Sequence, residues 1–431
     1  MTSPVSACLI VNDDPHLIKT IKCLAPHVAE ICIAFTGISR DALVASERLV
    51  RKEILGKTQL VYFGGADPKT GQLNDFSAAR QFSFSVATQP WILWADSDDL
   101  ISGLEHLPEV ISNLELAREM KADGRLPRLS CPYEYAYDKD GNCTELVVRE
   151  RIVPNFRDFW QWKRPVHERL EAKDIEKQFD LYEPRLVWKH QSPPGRSTSE
   201  RNVRILERYA NECIDNGIND NLVYFDLGRE YQMLGRKSPE QFDEATNCFL
   251  EYLQNCPNPL ERATVYRHLS EIAWASTESK LFASNSPLDP ALSKVWALAA
   301  AAEGGRFEDY FAVAKLMWIM AAARNEPAYF HQALEWAQKA LGAPTKGMYD
   351  SNPSDRATIQ ELIDDCYYPT KRASVFIEYG GLMTKIERRR EETPRAGAAG
   401  PAGRPNGPSG QEESSLDLAA PQVPLAAQAS S

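Results

Sequence analysis

Long hydrophobic runs are missing from this sequence of 431 residues, in which 43% of the residues are hydrophobic and 25% are charged. A transmembrane helix needs roughly 20 consecutive apolar residues, and no stretch approaches that length. The first residues contain neither a basic segment nor a long apolar segment, so we expect no signal peptide. We therefore expect a cytoplasmic protein without a membrane span.

The sequence also lacks a cysteine pattern. None of the nine cysteines forms a CxxC pair, and their number is odd. The sequence therefore predicts neither a zinc site nor a disulfide framework. It predicts reduced thiols in a cytosolic protein. The nine residues are Cys8, Cys23, Cys32, Cys131, Cys143, Cys213, Cys248, Cys256 and Cys366.

Excess positive charge is absent, since the formal net charge is -11 at pH 7. Such a chain is not expected to attract nucleic acid through its overall field, so nucleic acid is expected only as a specific acceptor. An acidic site suits Mg²⁺ or Mn²⁺, which prefer oxygen ligands. The oligomeric state is not indicated by the sequence.

Short apolar runs alternate with helical patterns over the first 190 residues or so. The predicted strands are Val5–Val11, Glu30–Phe35, Gln59–Phe63 and Trp91–Ala95, and the predicted helices are His16–Ala25, Asp41–Leu55 and Asp75–Ala87. This alternation is typical of an α/β fold with a mainly parallel, doubly wound sheet. In such sheets, ligands bind at the carboxyl ends of the strands.

The chain changes character after about residue 195, where apolar residues recur every three or four positions and strand-like runs are absent. A pattern like that of a tetratricopeptide repeat occurs at Tyr224, Leu227, Gly228, Tyr231, Ala245, Phe249 and Pro257, with an insertion after Gly235. We expect stacked helical hairpins here. An irregular helical bundle is the alternative.

The last residues, from about Glu391, are rich in Ala, Pro, Gly and Ser, and we expect them to be disordered. The predicted organisation is therefore an α/β domain over 1–192, a helical domain over 193–390 and a tail over 391–431.

An acidic cluster, Asp96-Ser97-Asp98-Asp99, follows the strand Trp91–Ala95. A divalent cation bound there would neutralise the diphosphate that leaves when a nucleotide sugar reacts. Aspartate is also common in solvated turns and at helix N-caps, so the motif alone is weak. Asp99, in particular, is a candidate cap for a following helix.

Five further motifs occur in an order and spacing that resemble family 2 glycosyltransferases of the GT-A fold. The motifs, with the acidic cluster, are Ile10–Asp13, Thr36–Asp41, Asp75–Arg80, Trp91–Leu100, Pro165–Glu168 and Trp188–His190. They resemble in particular the subgroup whose catalytic domain is followed by tetratricopeptide-like helices, and the matching residues spread over most of residues 5–260. The resemblance implies a nucleotide-sugar donor such as a UDP- or GDP-sugar, a bound Mn²⁺ or Mg²⁺, and inversion of the anomeric centre.

The resemblance also implies roles for individual residues. The donor would contact Asn12, Thr36, Asp41, Arg80 and Asp96, and the metal would be held by Asp96, Asp98 and His190. For the general base we prefer Glu168, with His167 in the acceptor site, and a purely structural role for this pair is the alternative. The alternative for Arg80 is a surface salt bridge without a ligand. The alternative for His190 is a histidine that packs beside Trp188 and binds no metal.

The chain departs from the family at two positions of the expected donor pocket. Phe35 stands where the family usually has an aspartate, and Gln81 stands where it usually has an asparagine. The nucleoside half of the site is therefore expected to be unusual. The nearby Trp160 and Trp162 either stack on a ligand or pack in the core, and we favour core packing.

The function that we expect is transfer of a sugar from a nucleotide sugar to an acceptor. The helical region would hold the acceptor, with a protein or peptide as the first hypothesis and a modified nucleobase or a glycan as alternatives. A second hypothesis is an interaction scaffold of tetratricopeptide type that carries a degenerate transferase domain, and Phe35 favours it.

Overall fold

The computed structural model describes residues 2–12, 15–37, 41, 44, 47–48, 50, 57–121, 123–137, 141, 143–156, 158–191, 198–284, 291–324, 327–344, 353–367, 374–379 and 382–387. Residues 1–389 form one compact unit. The tail predicted to be disordered, 391–431, lies outside the described residues.

Thirteen strands occur among the described residues. They are β1 (Ser3–Val11), β2 (Val28–Phe35), β3 (Thr58–Tyr62), β4 (Trp91–Asp96), β5 (Asp99–Ser102), β6 (Leu126–Tyr137), β7 (Cys143–Pro154), β8 (Trp160–Lys163), β9 (Arg169–Ala172), β10 (Gln178–Tyr182), β11 (Val187–His190), β12 (Ser374–Tyr379) and β13 (Leu382–Glu387). The four strands predicted from the sequence correspond to β1–β4, with bounds that differ by no more than two residues at either end.

Eleven helices accompany them in the described part of the chain. They are α1 (Leu17–Leu24), α2 (Phe76–Ser85), α3 (Leu107–Met120), α4 (Ser199–Asp215), α5 (Leu222–Gly235), α6 (Gln241–Gln254), α7 (Pro259–Ser284), α8 (Ala291–Gly304), α9 (Phe307–Arg324), α10 (Pro327–Gly342) and α11 (Pro353–Tyr367). Of the helix predicted over Asp41–Leu55, residues 41, 44, 47, 48 and 50 are helical and the rest lie outside the described residues.

The central sheet has nine strands, in the order β3-β2-β1-β4-β7-β6-β11-β5, with β10 also paired to β6. Strands β3, β2, β1 and β4 are mutually parallel, whereas β7 runs antiparallel to β4 and to β6. The predicted α/β class with a mostly parallel sheet is therefore confirmed, and helices follow it along the chain.

The two faces of the sheet are buried by different elements. Alternate residues of β1, such as Ala7 and Leu9, pack with α1 and α3 in one core cluster. Cys8, on the opposite face, packs with residues of α2 and the β8–β9 hairpin in another. Because both faces are covered, the parallel strands are apolar at nearly every position, which is why the sequence shows continuous apolar runs there.

Successive helices after residue 198 pack against one another. The pair α5–α6 contains the predicted repeat-like residues, and Gly228 lies against the ring of Phe249, where a Cβ at position 228 would come within 2.8 Å. The expectation that this region has no strands was wrong, since β12 and β13 form an antiparallel hairpin. The prediction that the helices are tetratricopeptide-like repeats stays a prediction.

Candidate active site

The acidic cluster lies in a tight turn between β4, which ends at Asp96, and β5, which begins at Asp99. The Thr20 hydroxyl donates to the Ser97 carbonyl over 2.7 Å, and the backbone N–H of Asp96 donates to Asp99 Oδ2 over 2.9 Å. Asp99 does not take the alternative role of a helix cap, since Gly103 and His106 precede the helical turns that follow. Its carboxylate closes the turn instead, and the turn lies at the carboxyl end of β4, as predicted.

Strand β11 brings His190 to this turn. It pairs antiparallel with β5, with His190 opposite Asp99, and the N–H of Gln191 donates to the carbonyl of Asp98 over 2.9 Å. His190 Nδ1 lies 3.5 Å from Asp98 Oδ1 and 3.8 Å from Asp99 Oδ1. Burial by itself lowers the pKa of His190, but the neighbouring carboxylates raise it above its ordinary value overall.

Two tyrosines that the sequence analysis missed surround this imidazole. The Tyr133 hydroxyl lies 3.1 Å from His190 Nδ1, and the Tyr135 ring stacks on the imidazole with centroids 5.2 Å apart and an interplanar angle of 2°. Both belong to β6, next to β11. The aromatic residues at alternate positions of this strand, Tyr133, Tyr135 and Tyr137, were the available signal, since alternate residues share one face of a strand.

One group of potential metal ligands occurs among the described residues. Ligand atoms of Asp98, Asp99 and His190 lie within 4.8 Å of one another. Asp99 is fully buried, and its Oδ1 accepts no hydrogen bond from any described residue. A buried carboxylate oxygen without a donor, next to a second carboxylate and an imidazole, fits a divalent cation such as Mn²⁺.

Asp96, which was also predicted to bind the metal, contacts a different residue. Its Oδ1 accepts a hydrogen bond of 2.6 Å from Arg80 Nη2, while Arg80 Nε donates to Glu168 Oε1, also over 2.6 Å. Burial opposes ionisation of Asp96, but the charges of Arg80 and Arg151 hold its pKa below the ordinary value. Arg80 is thus a buried bridge between two carboxylates and not a surface salt bridge.

Aromatic rings hold the Arg80 guanidinium in place. It lies 4.4 Å from the ring centroid of Trp94 and 5.2 Å from that of Trp162. The preference for core packing is confirmed, because Trp160 and Trp162 are 2% and 4% exposed. Gln81, the residue after Arg80, connects α2 to β8. Its Oε1 accepts a hydrogen bond of 3.0 Å from the backbone N–H of Trp162.

The candidate base Glu168 and its neighbour His167 are directed to opposite sides of their loop. Glu168 is buried beside Arg80, whose Nε donates to its Oε1. His167 Nε2 instead lies 2.7 Å from Oε1 of Glu230 on α5. The structure therefore brings Arg80, Asp96 and Glu168 together, and it places His167 against the helical region.

The residues predicted to bind the nucleoside lie at the ends of β1 and β2. The Thr36 hydroxyl donates to the Val11 carbonyl over 2.9 Å, and Asn12 Nδ2 donates to the Gly71 carbonyl over 3.0 Å. Asp41 is helical and exposed. Phe35 is fully buried in the core, so its ring does not replace a ligand-facing carboxylate with a ligand-facing apolar group.

A cavity of about 920 Å³ lies beside this site and not within it. Its walls come from the start of α2, the β8–β9 hairpin, α4 and the segment before α5, and they include Gln81, Trp162 and Arg164. They do not include Asp96, Asp98 or His190.

The chain matches no protein-family model and no curated protein sequence. Solved structures with a partial likeness include Staphylococcus aureus TarS 1–349, with 10% identity and a TM-score of 0.33 over 67% of this chain and 93% of that one. TarS 1–349 in complex with UDP-GlcNAc has 12% identity and a TM-score of 0.30 over 70% and 88% of the two chains. HddC from Yersinia pseudotuberculosis has 9% identity and a TM-score of 0.28 over 47% and 99%. Likeness at this level does not establish a function.

Proposed function

We propose that this protein is a glycosyltransferase that moves a sugar from a nucleotide-sugar donor to an acceptor. The observation that carries the proposal is the convergence of Asp98, Asp99 and His190 with the Asp96–Arg80–Glu168 bridge at the carboxyl end of β4. This edge of a parallel sheet is where ligands bind in α/β folds. The sequence motifs that resemble family 2 glycosyltransferases supply the reaction class.

The residues present fit a divalent cation, which Asp98, Asp99 and His190 would hold. Bound there, Mn²⁺ or Mg²⁺ would supply positive charge for a diphosphate leaving group. The three side chains are preorganised for this by strand pairing, since β11 fixes His190 opposite Asp99. The imidazole among the ligands favours Mn²⁺ over Mg²⁺.

Arg80 and Asp96 would orient the donor next to this charge. The Asp96 carboxylate is 28% exposed, whereas Arg80 is 7% exposed, so Asp96 is the member of the pair that a ligand reaches. We propose that Asp96 accepts hydrogen bonds from the donor, and that Arg80 holds it in the ionised form. An UDP- or GDP-sugar is the donor that we expect.

Glu168 is the proposed general base. Arg80 engages Oε1, which leaves Oε2 to accept the proton of an acceptor nucleophile. An inverting transfer requires one such base, and its removal typically lowers the rate by about 10²–10⁴-fold. Glu168→Gln should therefore retain donor binding and lose turnover.

Donor binding is the first experiment. Thermal unfolding is followed with UDP or GDP, each with and without Mn²⁺, for the wild type, Asp98→Ala and the control Asp243→Ala, an exposed aspartate on α6. We expect cation-dependent stabilisation in the wild type and the control, and none in Asp98→Ala. A panel of nucleotide sugars, with released diphosphate as the signal, then identifies the donor.

The acceptor that we propose is a protein or peptide held by the helical region, since stacked helical pairs present extended surfaces for such ligands. Incubation with labelled donor and representative peptides, glycans and nucleobases tests this choice. Label in peptide supports it, and label only in one of the other classes replaces it.

A binding scaffold with an inactive transferase domain is the competing function. The absence of the family's usual aspartate, at the position that Phe35 occupies, favours it. The two functions differ in the first experiment: no stabilisation by any nucleoside diphosphate with Mn²⁺ would leave only the scaffold.

A further inference from the structure

The segment Arg164–Glu168, which joins β8 to β9, has an unusual backbone. Two described residues other than glycine have a positive φ, Arg164 at 70° and His167 at 53°, and both lie in this segment. Such conformations cost of order 1–3 kcal/mol each for ordinary residues and persist only where the surroundings enforce them. The contacts that enforce them come from two sides.

The α/β part of the molecule binds the backbone of the segment and its last side chain. The Ser77 hydroxyl donates to the Arg164 carbonyl, and the N–H of Phe76 donates to the Pro165 carbonyl over 2.8 Å. Arg149 Nη2 donates to the Glu168 carbonyl over 2.8 Å, in addition to the Arg80–Glu168 bond. Glu168 is therefore held from the side of the acidic cluster.

The helical region binds the other side chains. The Arg164 guanidinium pairs with Asp220, just before α5, and with Asp226 on α5, the latter over 2.8 Å. His167 Nε2 lies 2.7 Å from Glu230 Oε1. Asn202 Nδ2 of α4 donates to the same oxygen over 2.7 Å, which fixes the Glu230 carboxylate.

An apolar contact lies between the ion pairs of Arg164 and the contact of His167. Val166 is 5% exposed and packs in a cluster with residues of α4 and α5, namely Ile205, Leu206, Ala210, Val223 and Leu227. Arg164, Val166 and His167 therefore all contact the helices: Val166 packs on apolar side chains, and Arg164 and His167 contact carboxylates. The next residue, Glu168, contacts the candidate active site.

We propose that α4 and α5 position Glu168 for catalysis, with Arg164 and His167 as positioning residues. The ion pairs of Arg164 with Asp220 and Asp226, and the contact of His167 with Glu230, hold both residues in the left-handed conformation. That conformation sets the direction in which the chain delivers Glu168 to Arg80. The helical region is then part of the catalytic site, in addition to any role in acceptor binding.

The claim that the helices position Glu168 for catalysis rests on the proposed function. The claim that they hold the loop conformation does not. Hydrogen exchange of peptides that cover residues 160–172 therefore serves as a readout that needs no substrate. Glu230→Gln removes the charge that faces His167 and keeps the size of the side chain. Glu244→Gln, on the exposed face of α6, is the matched control.

We expect exchange in residues 160–172 to be at least about tenfold faster in Glu230→Gln, since loss of the contact at about 1.4 kcal/mol corresponds to that factor. Exchange in β1 and β4 should be unchanged. With an active donor, kcat should fall by about 10–100-fold, because small displacements of a catalytic group have effects of that size, while KM for the donor stays the same. The control should match the wild type in all of these measurements.

A second pair of variants tests the proposal if Glu230→Gln does not fold. Asparagine adopts the left-handed conformation more readily than alanine does. His167→Asn should therefore retain more of the loop protection and more of kcat than His167→Ala. Equal losses in the two variants would overturn the claim that the left-handed conformation at position 167 matters.

Loop exchange in Glu230→Gln that equals that of Glu244→Gln would overturn the proposal, as would faster loop exchange with an unchanged kcat. If the wild type turns over no donor, the proposed function fails, and the exchange measurements still decide whether the helices hold the loop.

Discussion

The guanidinium of Arg151 lies 3.7 Å from the carboxylate of Asp99, and both side chains are fully buried. The rings of Trp94 and Tyr133 lie 3.9 and 4.4 Å from the guanidinium carbon. Since a buried carboxylate requires a nearby positive charge, Arg151 is the internal cation that allows Asp99 to lie beneath the acidic turn. This pairing is not visible in the sequence, because Asp99 and Arg151 lie far apart along the chain, on strands β5 and β7. These strands are not adjacent in the sheet either.

Removing this cation should be costly. Arg151→Met leaves Asp99 buried without a counter-charge, and we expect the free energy of unfolding to fall by about 3–5 kcal/mol. Urea denaturation measures the loss. Arg125→Met, which breaks an exposed pair with Asp123, is the control and should lose less than about 1 kcal/mol. Similar small losses in both variants would contradict the role of Arg151.

The two outer carboxylates of the turn should differ in their effect on metal binding. Asp99→Asn removes a proposed ligand, and we expect the Kd for Mn²⁺ to rise by at least about tenfold, or about 1.4 kcal/mol. Asp96→Asn removes the partner of Arg80 and should change this Kd much less. Titration calorimetry with Mn²⁺ compares them. The opposite order would restore Asp96 as the ligand expected from the sequence.

Restoring the family's usual aspartate at position 35 should not restore a donor contact. Phe35 is fully buried, and its side chain packs in the core cluster beneath the sheet. Phe35→Asp therefore loses a large apolar side chain and buries a charge, so we expect a destabilisation of at least about 3 kcal/mol. Phe35→Leu is the control and should be milder. A folded Phe35→Asp variant that binds UDP more tightly than the wild type would refute this.

The contact between His167 and Glu230 should make stability depend on pH in acid. Burial raises the pKa of Glu230, but the bonds from His167, Asn202 and Ser199 lower it to about 2 overall, from 4.5. A carboxyl group with a lowered pKa stabilises the fold above about pH 4.5, and this contribution is lost as the pH falls towards 2.

The loss attributable to Glu230 is on the order of 3 kcal/mol at full protonation. Denaturation measured at intervals from pH 5 to 3 should show a steeper decline for the wild type than for Glu230→Gln. Asp226, on the same helix, has a pKa raised by burial and contributes a slope of the opposite sign. Parallel curves for the two proteins would show that the Glu230 carboxylate contributes little.

We expect the parts on either side of the boundary predicted at residue 192 to depend on each other for stability. A chain of residues 1–192 keeps the sheet but exposes Val166 and leaves Arg164 without Asp220 and Asp226. We expect it to unfold at lower urea than a chain of residues 1–389, which retains the whole compact unit. Circular dichroism measures the transitions. Coincident midpoints for the α/β part would show that it is an independent domain.

Local chemistry in the sequence determined strands β1–β4 and the position of the acidic turn, whereas strands β5–β11 were not predicted. Strands buried on both faces are mostly apolar, so β1, β2 and β4 are visible in the sequence as nearly continuous apolar runs. The carboxyl end of a parallel strand is where ligands bind, so the run that ends at Ala95 was enough to indicate Asp96–Asp99 as a site.

The partners of these side chains were decided only by tertiary structure, because they depend on pairings between distant segments. Antiparallel pairing of β11 with β5 placed His190 opposite Asp99. The Arg80 bridge drew Asp96 towards Glu168. Packing of the Arg164–Glu168 loop on α5 brought the His167 side chain into contact with Glu230. A charged side chain binds whichever opposite charge the fold brings within reach, and the order of residues along the chain does not specify that choice.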